Sequence, residues 1–158
     1  IDRIDFNVGG IYRHINNPYI NKLILNQRKK SIASNDSFYT PKGKKSAKDI
    51  LDGIKKNSSI VLLIDQKDSA GEDVVFFNSV TKTQTGFLKI AKKHKMQIIP
   101  VQNTRNNLNN FTLKFYPPLK PFKNHLTDKQ AMEEIHKIIE EWIKENPSHY
   151  FLQHNRFS

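Results

Sequence analysis

The segment Ile60-Val-Leu-Leu-Ile64, which runs directly into Asp65-Gln66, decides the fold class predicted for this chain. An unbroken apolar run of this length is typical of a strand buried on both faces, as in a parallel sheet covered by helices. Ile98-Ile-Pro-Val101 is a shorter run of the same kind, and residues 85–92 between them have a helical pattern. This order of strand, helix and strand predicts an α/β fold, a three-layer sandwich whose mixed, mostly parallel sheet has helices on both faces.

Capping signals predict three further helices. Asn17-Pro18 supplies a cap and a proline at the first helical position, and this helix should end near Lys30. Ser46-Ala-Lys-Asp49 resembles a capping box. Thr127-Asp-Lys-Gln130 opens the clearest helix, which should stop at Asn146-Pro147.

Two weaker signals predict strands outside the central runs. Gly9-Gly10 is expected to form a turn that leads into a short strand at Ile11-Tyr12. The alternation of Phe111, Leu113 and Phe115 predicts the returning strand of a hairpin at one side of the sheet.

Length and composition limit the class of protein. A chain of 158 residues is expected to form one domain, with roughly two thirds of its unfolded surface buried. The absence of cysteine excludes disulfides, thiolate catalysis and thiolate metal sites. No stretch approaches the ~18–20 consecutive apolar residues of a membrane helix, and no signal-peptide pattern is present. Any membrane anchor is therefore expected outside this segment.

The charge balance predicts a polyanionic partner. Lys and Arg outnumber Asp and Glu by 26 to 15, which gives a net charge of +11. The excess recurs in Arg28-Lys-Lys30, Lys42-Gly-Lys-Lys45 and Lys92-Lys-His-Lys95. Clustered cations suit nucleic acid and an anionic membrane or phosphorylated lipid equally well. The codon bias of an A/T-rich genome would also produce many Lys and Asn residues, so charge alone decides little.

Arg13 is a candidate anion-binding residue. It follows the short strand at Ile11-Tyr12 and precedes the helix capped by Asn17, where its guanidinium can meet a phosphate beside the backbone N–H groups of a helix N-terminus. Asn17 can equally act only as the cap, and Arg28 can be a solvated cation in a last helical turn.

Asp65 and Gln66 are candidate ligand-facing residues, because α/β proteins place such side chains at the ends of buried strands. The alternative is that Asp65 accepts backbone hydrogen bonds and ties down the following loop. We favour a structural or substrate-positioning role over direct chemistry. Phe76-Phe77 can line a path for an acyl chain, but a pair of phenylalanines is more often part of a core.

The segment from Tyr12 to Arg28 resembles the lipid A biosynthesis acyltransferases, the late acyltransferases that add a lauroyl or myristoyl chain to a lipopolysaccharide precursor. Tyr12-Arg13, Asn17-Pro18 and Arg28 match the family's aromatic residue, Arg, Asn-Pro pair and later Arg. His14 stands where the family usually has Pro, so the turn around Arg13 is less rigid.

A second block resembles the same family. Asp65-Gln66 is followed by Gly71 and Phe76-Phe77, with Asn78 in place of the family's last Gly. Thr83-Gln-Thr-Gly86 is similar to a small-residue helix start. Residues 148–157 resemble the family's closing segment, which is expected to dock the chain end.

The resemblance implies a glycerolipid acyltransferase-like fold and an enzyme that moves an acyl group from an acyl carrier protein thioester to a hydroxyl of a phosphorylated glucosamine lipid. In that family a His oriented by an acid acts as the base, in a motif that lies ahead of Ile1. This chain is therefore expected to be the C-terminal portion of a longer protein, inactive alone and without a catalytic residue. The substrate-binding residues implied are Arg13, Asn17, Arg28, Asp65 and Gln66.

The resemblance also implies partners and a location. It implies no metal and no organic cofactor, an anionic membrane surface as a partner, and no nucleic acid. The implied location is the cytoplasmic face of the inner membrane of a Gram-negative bacterium.

Other interpretations compete with this one. His136 and Glu141 have the spacing of the family's catalytic pair, but they lie five residues apart within a helix and so do not share a face; we reject them as a base and its acid. Asp65 and Lys67, with Asp68, Glu72 and Asp73 nearby, have the spacing of a metal-dependent nuclease. Such a site also needs an acid from an earlier element, and the candidates Asp49 and Asp52 fall in a predicted helix with no evident reason to face Asp65. A non-catalytic module that binds anionic lipid or nucleic acid is the other alternative.

Overall fold

The computed structural model describes residues 7–12, 15–31, 37–107, 109–120, 126–150 and 156–157. These residues form a mixed α/β protein with helices, a parallel sheet and two small antiparallel sheets, which confirms the predicted α/β class. The chain divides into two compact units, Ile1–Leu63 and Ile64–Ser158. The organisation as a single domain stays a prediction.

The first unit contains a parallel three-stranded sheet and two helices. Its elements are β1 Val8–Tyr12, α1 Pro18–Ser31, β2 Phe38–Pro41, α2 Lys44–Lys55 and β3 Ser59–Val61. The strand order is β2-β1-β3, and both pairings are parallel. The carboxyl ends of all three strands therefore lie at one edge of this sheet.

The expectation of a turn at Gly9-Gly10 is wrong, because both glycines lie inside β1. A Cβ atom at Gly9 would overlap the ring of Phe38, and one at Gly10 would lie 2.7 Å from Cε1 of Tyr39. The two glycines are needed for close side-chain approach from the neighbouring strand rather than for a turn.

The expectation that residues 59–64 form a doubly buried strand is also wrong. Strand β3 ends at Val61, which is 54% exposed, and Leu63 is 75% exposed. Within the described residues β3 is an outer strand that pairs only with β1. An apolar run predicts a strand here, but it does not reveal how many faces are covered.

Both helices predicted in the first unit are present, and the start of α1 is predicted correctly. Helix α1 begins at Pro18, and Oδ1 of Asn17 accepts hydrogen bonds from the N–H groups of Tyr19 and Ile20 at 3.0 and 3.2 Å. Helix α2 begins at Lys44 with Gly43 as its cap, so the prediction of Ser46 as the cap is wrong by three residues. Ser46 is the third helical residue, and its Oγ donates to the carbonyl of Gly43 at 2.6 Å.

The second unit is built around two hairpins and two helices. Its elements are β4 Glu72–Phe76, β5 Ser79–Thr83, α3 Gly86–Lys93, β6 Val101–Arg105, β7 Phe111–Phe115, α4 Asp128–Glu145 and a 3₁₀ turn Pro147–His149. Its core joins β4, α3 and α4 through five buried side chains, Val74, Leu88, Ala131, Met132 and Ile135. The two-strand sheets β4-β5 and β6-β7 are both antiparallel.

Helices α3 and α4 confirm the sequence prediction, and the capping box of α4 is present. The N–H of Gln130 donates to Oγ1 of Thr127 at 3.2 Å, while the Gln130 side chain accepts from the Thr127 N–H at 2.9 Å. The predicted hairpin strand at 111–115 is also confirmed. The strand expected at Ile98–Val101 is wrong in position, because β6 begins only at Val101. Strand β6 pairs antiparallel with β7, so the predicted unit of strand, helix and parallel strand is wrong as well.

None of the helices in the described part of the chain combines the length and the hydropathy needed to cross a bilayer.

Candidate functional site

The carboxyl edge of the parallel sheet in the first unit gathers features that favour an anion. Strand β1 ends at Tyr12, whose carbonyl accepts a hydrogen bond from the N–H of Lys42 at 2.8 Å. Helices α1 and α2 begin shortly after β1 and β2, respectively. Helix N-termini and the ends of parallel strands are where α/β proteins bind anionic groups. At α1, however, Asn17 already accepts from the N–H groups of Tyr19 and Ile20.

Arg13 and His14 lie outside the described residues, so ligand contact by Arg13 stays a prediction. The structure does bring Arg28 to this place. Arg28 is half-buried, and its guanidinium lies 5.5 Å from the centre of the Tyr12 ring, a cation–π contact with the residue directly before Arg13. Arg28 is therefore held at the end of β1 rather than only solvated.

Asn17 is exposed, and its side-chain oxygen is occupied by the cap of α1. The capping interpretation is thus confirmed. Substrate contact by Asn17 stays a prediction.

A cavity of about 330 Å³ also lies in the first unit, lined by Ser37, Phe38, Tyr39, Asp49, Asp52, Gly53 and Lys56. It adjoins the start of β2 rather than the carboxyl edge. Two of its lining residues are acids, Asp49 and Asp52, which disfavour an anionic ligand. This cavity does not suit a phosphorylated lipid.

Asp65 and Gln66 belong to the second unit, where the chain end holds the loop that contains them. The hydroxyl of Tyr150 donates to the backbone carbonyl of Asp65 at 3.2 Å. Burial, and then the charge of Asp65, raises the pKa of the Tyr150 phenol. The turn itself is tied by Asp68, whose carboxylate accepts from the N–H of Ala70 at 3.3 Å and whose carbonyl accepts from Gly71 at 2.7 Å. Substrate contact by Asp65 or Gln66 stays a prediction.

The chain end also buries an arginine against a histidine. Arg156 is 3% exposed and donates to the carbonyl of Lys82 at 3.3 Å and to Oγ1 of Thr83 at 3.0 Å. One of its terminal nitrogens lies 3.4 Å from Nε2 of His136. Phe157 stacks on Phe76 with ring centres 5.9 Å apart. The predicted docking of the chain end is confirmed for Arg156 and Phe157.

His136 is neutral in this arrangement. Its Nδ1 lies 2.7 Å from the carbonyl of Val75, which can only accept, so Nδ1 carries the proton. Arg156 can only donate, so Nε2 must accept. Burial lowers the pKa of His136 and the charge of Arg156 lowers it further, against the opposing effects of the Val75 hydrogen bond and of Glu140 and Glu133.

This burial predicts that stability falls on acidification below pH 6.5, the ordinary pKa of histidine. The unfolded chain then binds a proton that the folded chain resists, so the contribution of neutral His136 is complete above pH 6.5 and is lost as the pH falls towards the lowered pKa of the folded state. Thermal unfolding midpoints between pH 8 and 5 should show a drop that is smaller in His136→Gln. The exposed His149 provides the control, and an equal loss of slope in His149→Gln would contradict the assignment.

The position of His136 also excludes it as the partner of Glu141. Both ring nitrogens contact other groups, the ring packs on Phe76 with centres 4.7 Å apart, and Glu141 is exposed. Sequence reasoning rejected the pair from spacing, but it missed the contact with Arg156. The Arg156-Phe157 pair in the closing segment was the one sequence signal that could have indicated this contact.

A sequence model of the family described as bacterial lipid A biosynthesis acyltransferase matches residues 4–158. The chain belongs to this family. No curated protein matches it in a sequence search. The family name supports acyl transfer in lipid A biosynthesis, and hence an acyl donor and a lipid acceptor in general terms.

In this member of the lipid A acyltransferase family, Phe76-Phe77-Asn78 forms a tight turn between β4 and β5 that is anchored by a buried side chain. Phe76 is fully buried, which confirms the core interpretation for that residue. Phe77 and Asn78 link β4 to β5 with φ angles of 49° and 60°, as in a type I′ hairpin turn. The N–H of Phe77 donates to Oε1 of Glu140 at 2.7 Å. Asn tolerates the left-handed region better than most residues, so Asn78 can stand where the family usually has Gly.

The acids of the nuclease alternative are dispersed. Asp73 pairs with Lys82 at 2.8 Å, Glu72 lies 3.6 Å from Lys89, and Asp68 forms its own turn. Within the part of the chain that the structure describes, no three metal-ligating side chains come together. The nuclease alternative gains no support from this geometry.

Proposed function

We propose that the intact protein transfers a fatty acyl group from acyl carrier protein to a hydroxyl of a phosphorylated lipid A precursor, at the cytoplasmic face of the inner membrane. One observation carries the role of this chain. Arg28 is held on Tyr12 at the carboxyl edge of a parallel sheet, where two helices also begin. Such an edge suits the phosphate of the acceptor.

The chemistry fits the family to which the chain belongs. A base takes the proton of the acceptor hydroxyl, whose oxygen then attacks the thioester carbonyl. The tetrahedral oxyanion collapses, the C–S bond breaks, and the carrier thiolate leaves and takes up a proton. We assign the base to a His, oriented by an acid, in a segment ahead of Ile1. Arg13 and Arg28, with Asn17, serve the acceptor, and the Asp65-Gln66 loop positions substrate.

The test of this proposal is Arg13→Ala in the intact protein, assayed with the phosphorylated acceptor and with the same acceptor after removal of its phosphate. Loss of one arginine–phosphate pair should lower kcat/KM about tenfold or more for the phosphorylated acceptor. It should have little effect on the dephosphorylated one.

Lys48→Ala is the matched control, since Lys48 is an exposed cation of the same unit on α2. Both activities should be unchanged in that variant. An Arg13→Ala enzyme with full activity on the phosphorylated acceptor would refute the assignment of Arg13.

A further inference from the structure

The outward face of α1 is apolar at one end and basic at the other. The half-buried residues of this helix lie on one stripe, Asn21, Ile24, Leu25 and Arg28. The opposite stripe holds Tyr19, Leu23, Asn26 and Lys30, because residues three and four positions apart share a helix face. Tyr19 is 84% exposed and Leu23 is 61% exposed, and Ile20 beside them is 46% exposed.

The charge of α1 has one sign. The helix contains Lys22, Arg28, Lys29 and Lys30 and no acidic residue. Lys22 is exposed beside the apolar end, and Lys29 and Lys30 are exposed in the last turn. Exposed Tyr, Ile and Leu side chains near the start of a helix whose last turn is basic suit the headgroup region of an anionic bilayer, where apolar side chains can insert and lysines can meet lipid phosphates.

We infer that α1 lies on an anionic lipid bilayer through Tyr19, Ile20 and Leu23, with Lys22, Lys29 and Lys30 against the headgroups. The same helix holds Arg28 against Tyr12 on its inner side. Membrane contact through α1 would thus bring the carboxyl edge of the sheet to the depth of lipid phosphates. The inference rests on the proposed function, because an acceptor that resides in the bilayer gives this contact its purpose.

The first test locates the contact. The chain has no cysteine, so Leu23→Cys can carry one environment-sensitive fluorophore such as NBD. Val80→Cys is the matched control, because Val80 is an equally exposed aliphatic residue at 64% in the other unit. With vesicles of phosphatidylcholine plus phosphatidylglycerol, emission should shift to the blue and increase severalfold at position 23 only. Equal shifts at both positions, or none, would overturn the inference.

The second test separates a local effect from net charge. Lys29→Glu with Lys30→Glu should lower the vesicle partition coefficient about twentyfold or more, since each lysine near an anionic surface contributes about fivefold. Lys92→Glu with Lys93→Glu removes the same charge from the last turn of α3 and should change it less than about threefold. Equal losses in the two variants would mean a diffuse charge effect and would refute the α1 surface.

Other occupants give different results. Duplex DNA that displaces the chain from anionic vesicles at equal salt would favour a nucleic-acid surface and overturn the inference. The inference would also be overturned if the chain sediments as a dimer, and if Leu23→Glu dissociates this dimer while Val80→Glu does not.

Failure of this inference and failure of the proposed function can be told apart. No shift at position 23, with acyl transfer by the intact protein to detergent-dispersed acceptor, would end the inference and leave the function. A shift at position 23 without any acyl transfer by the intact protein would support the surface and refute the function.

Discussion

Replacing Gly71 by alanine will destabilise the chain by about 3 kcal/mol, the upper part of the usual range for overpacking. A Cβ atom at this position would overlap the backbone carbonyl group of Thr83 and lie 2.8 Å from its nitrogen. Thr83 cannot withdraw, because it is fully buried and pairs with Glu72 across the β4-β5 ladder. The φ angle of Gly71 is outside the left-handed region, so the expected cost is steric. Urea unfolding followed by circular dichroism measures it.

Gly86→Ala is the control for this prediction. Gly86 is the first residue of α3, and a Cβ atom there would meet nothing within 4 Å. Alanine favours helix over glycine by up to about 1 kcal/mol, so the stability should stay unchanged or rise. Equal destabilisation by the two substitutions would show that the contact with Thr83 is not the cause.

Gly71 also shows why part of this fold could not be predicted from the sequence. The resemblance marked Gly71 as the glycine of a loop, but glycine is required because the backbone of Thr83, the last residue of β5, approaches closely. The helix starts of α1 and α4 were predictable because a cap and its partners are within four residues of each other. The exposure of Leu63 was not predictable, since the burial of a side chain depends on segments that are distant in the sequence.

The candidate site divides in the same way. The cap at Asn17 is a local property, and the sequence predicts it. The contact of Arg28 with Tyr12 joins the last turn of a helix to the end of a strand, and no spacing in the sequence signals it. His136 was weighed against Glu141, its neighbour along the helix, whereas its partners Val75 and Arg156 come from other elements.

Replacing Arg156 by alanine will lower the stability by about 3 kcal/mol, the upper end of the range for a buried acceptor left without a partner. That acceptor is Nε2 of His136, since Oγ1 of Thr83 keeps its contact with Oγ1 of Thr81 at 3.3 Å. Oγ1 of Thr83 and Nε2 of His136 would both lose the hydrogen bonds that Arg156 donates. The guanidinium also packs 5.4 Å from the centre of the Phe76 ring. Burial lowers the pKa of Arg156, so removal of the charge offsets part of this loss. Urea unfolding at pH 8 measures the net effect, with His136 neutral.

Arg105→Ala is the control that separates the effect of burying an arginine from the effect of its contact with an aromatic ring. The guanidinium of Arg105 also lies 5.4 Å from a ring centre, that of Phe111, but this arginine is exposed. Its replacement should change the stability by no more than about 0.5 kcal/mol. Arg156→Ala should carry a second signature: the charge that lowers the pKa of His136 is gone, so the acid-induced loss of stability should be smaller than in the parent chain. If Arg156→Ala keeps the stability and the pH dependence of the parent, the buried contact between Arg156 and His136 does not hold the chain end.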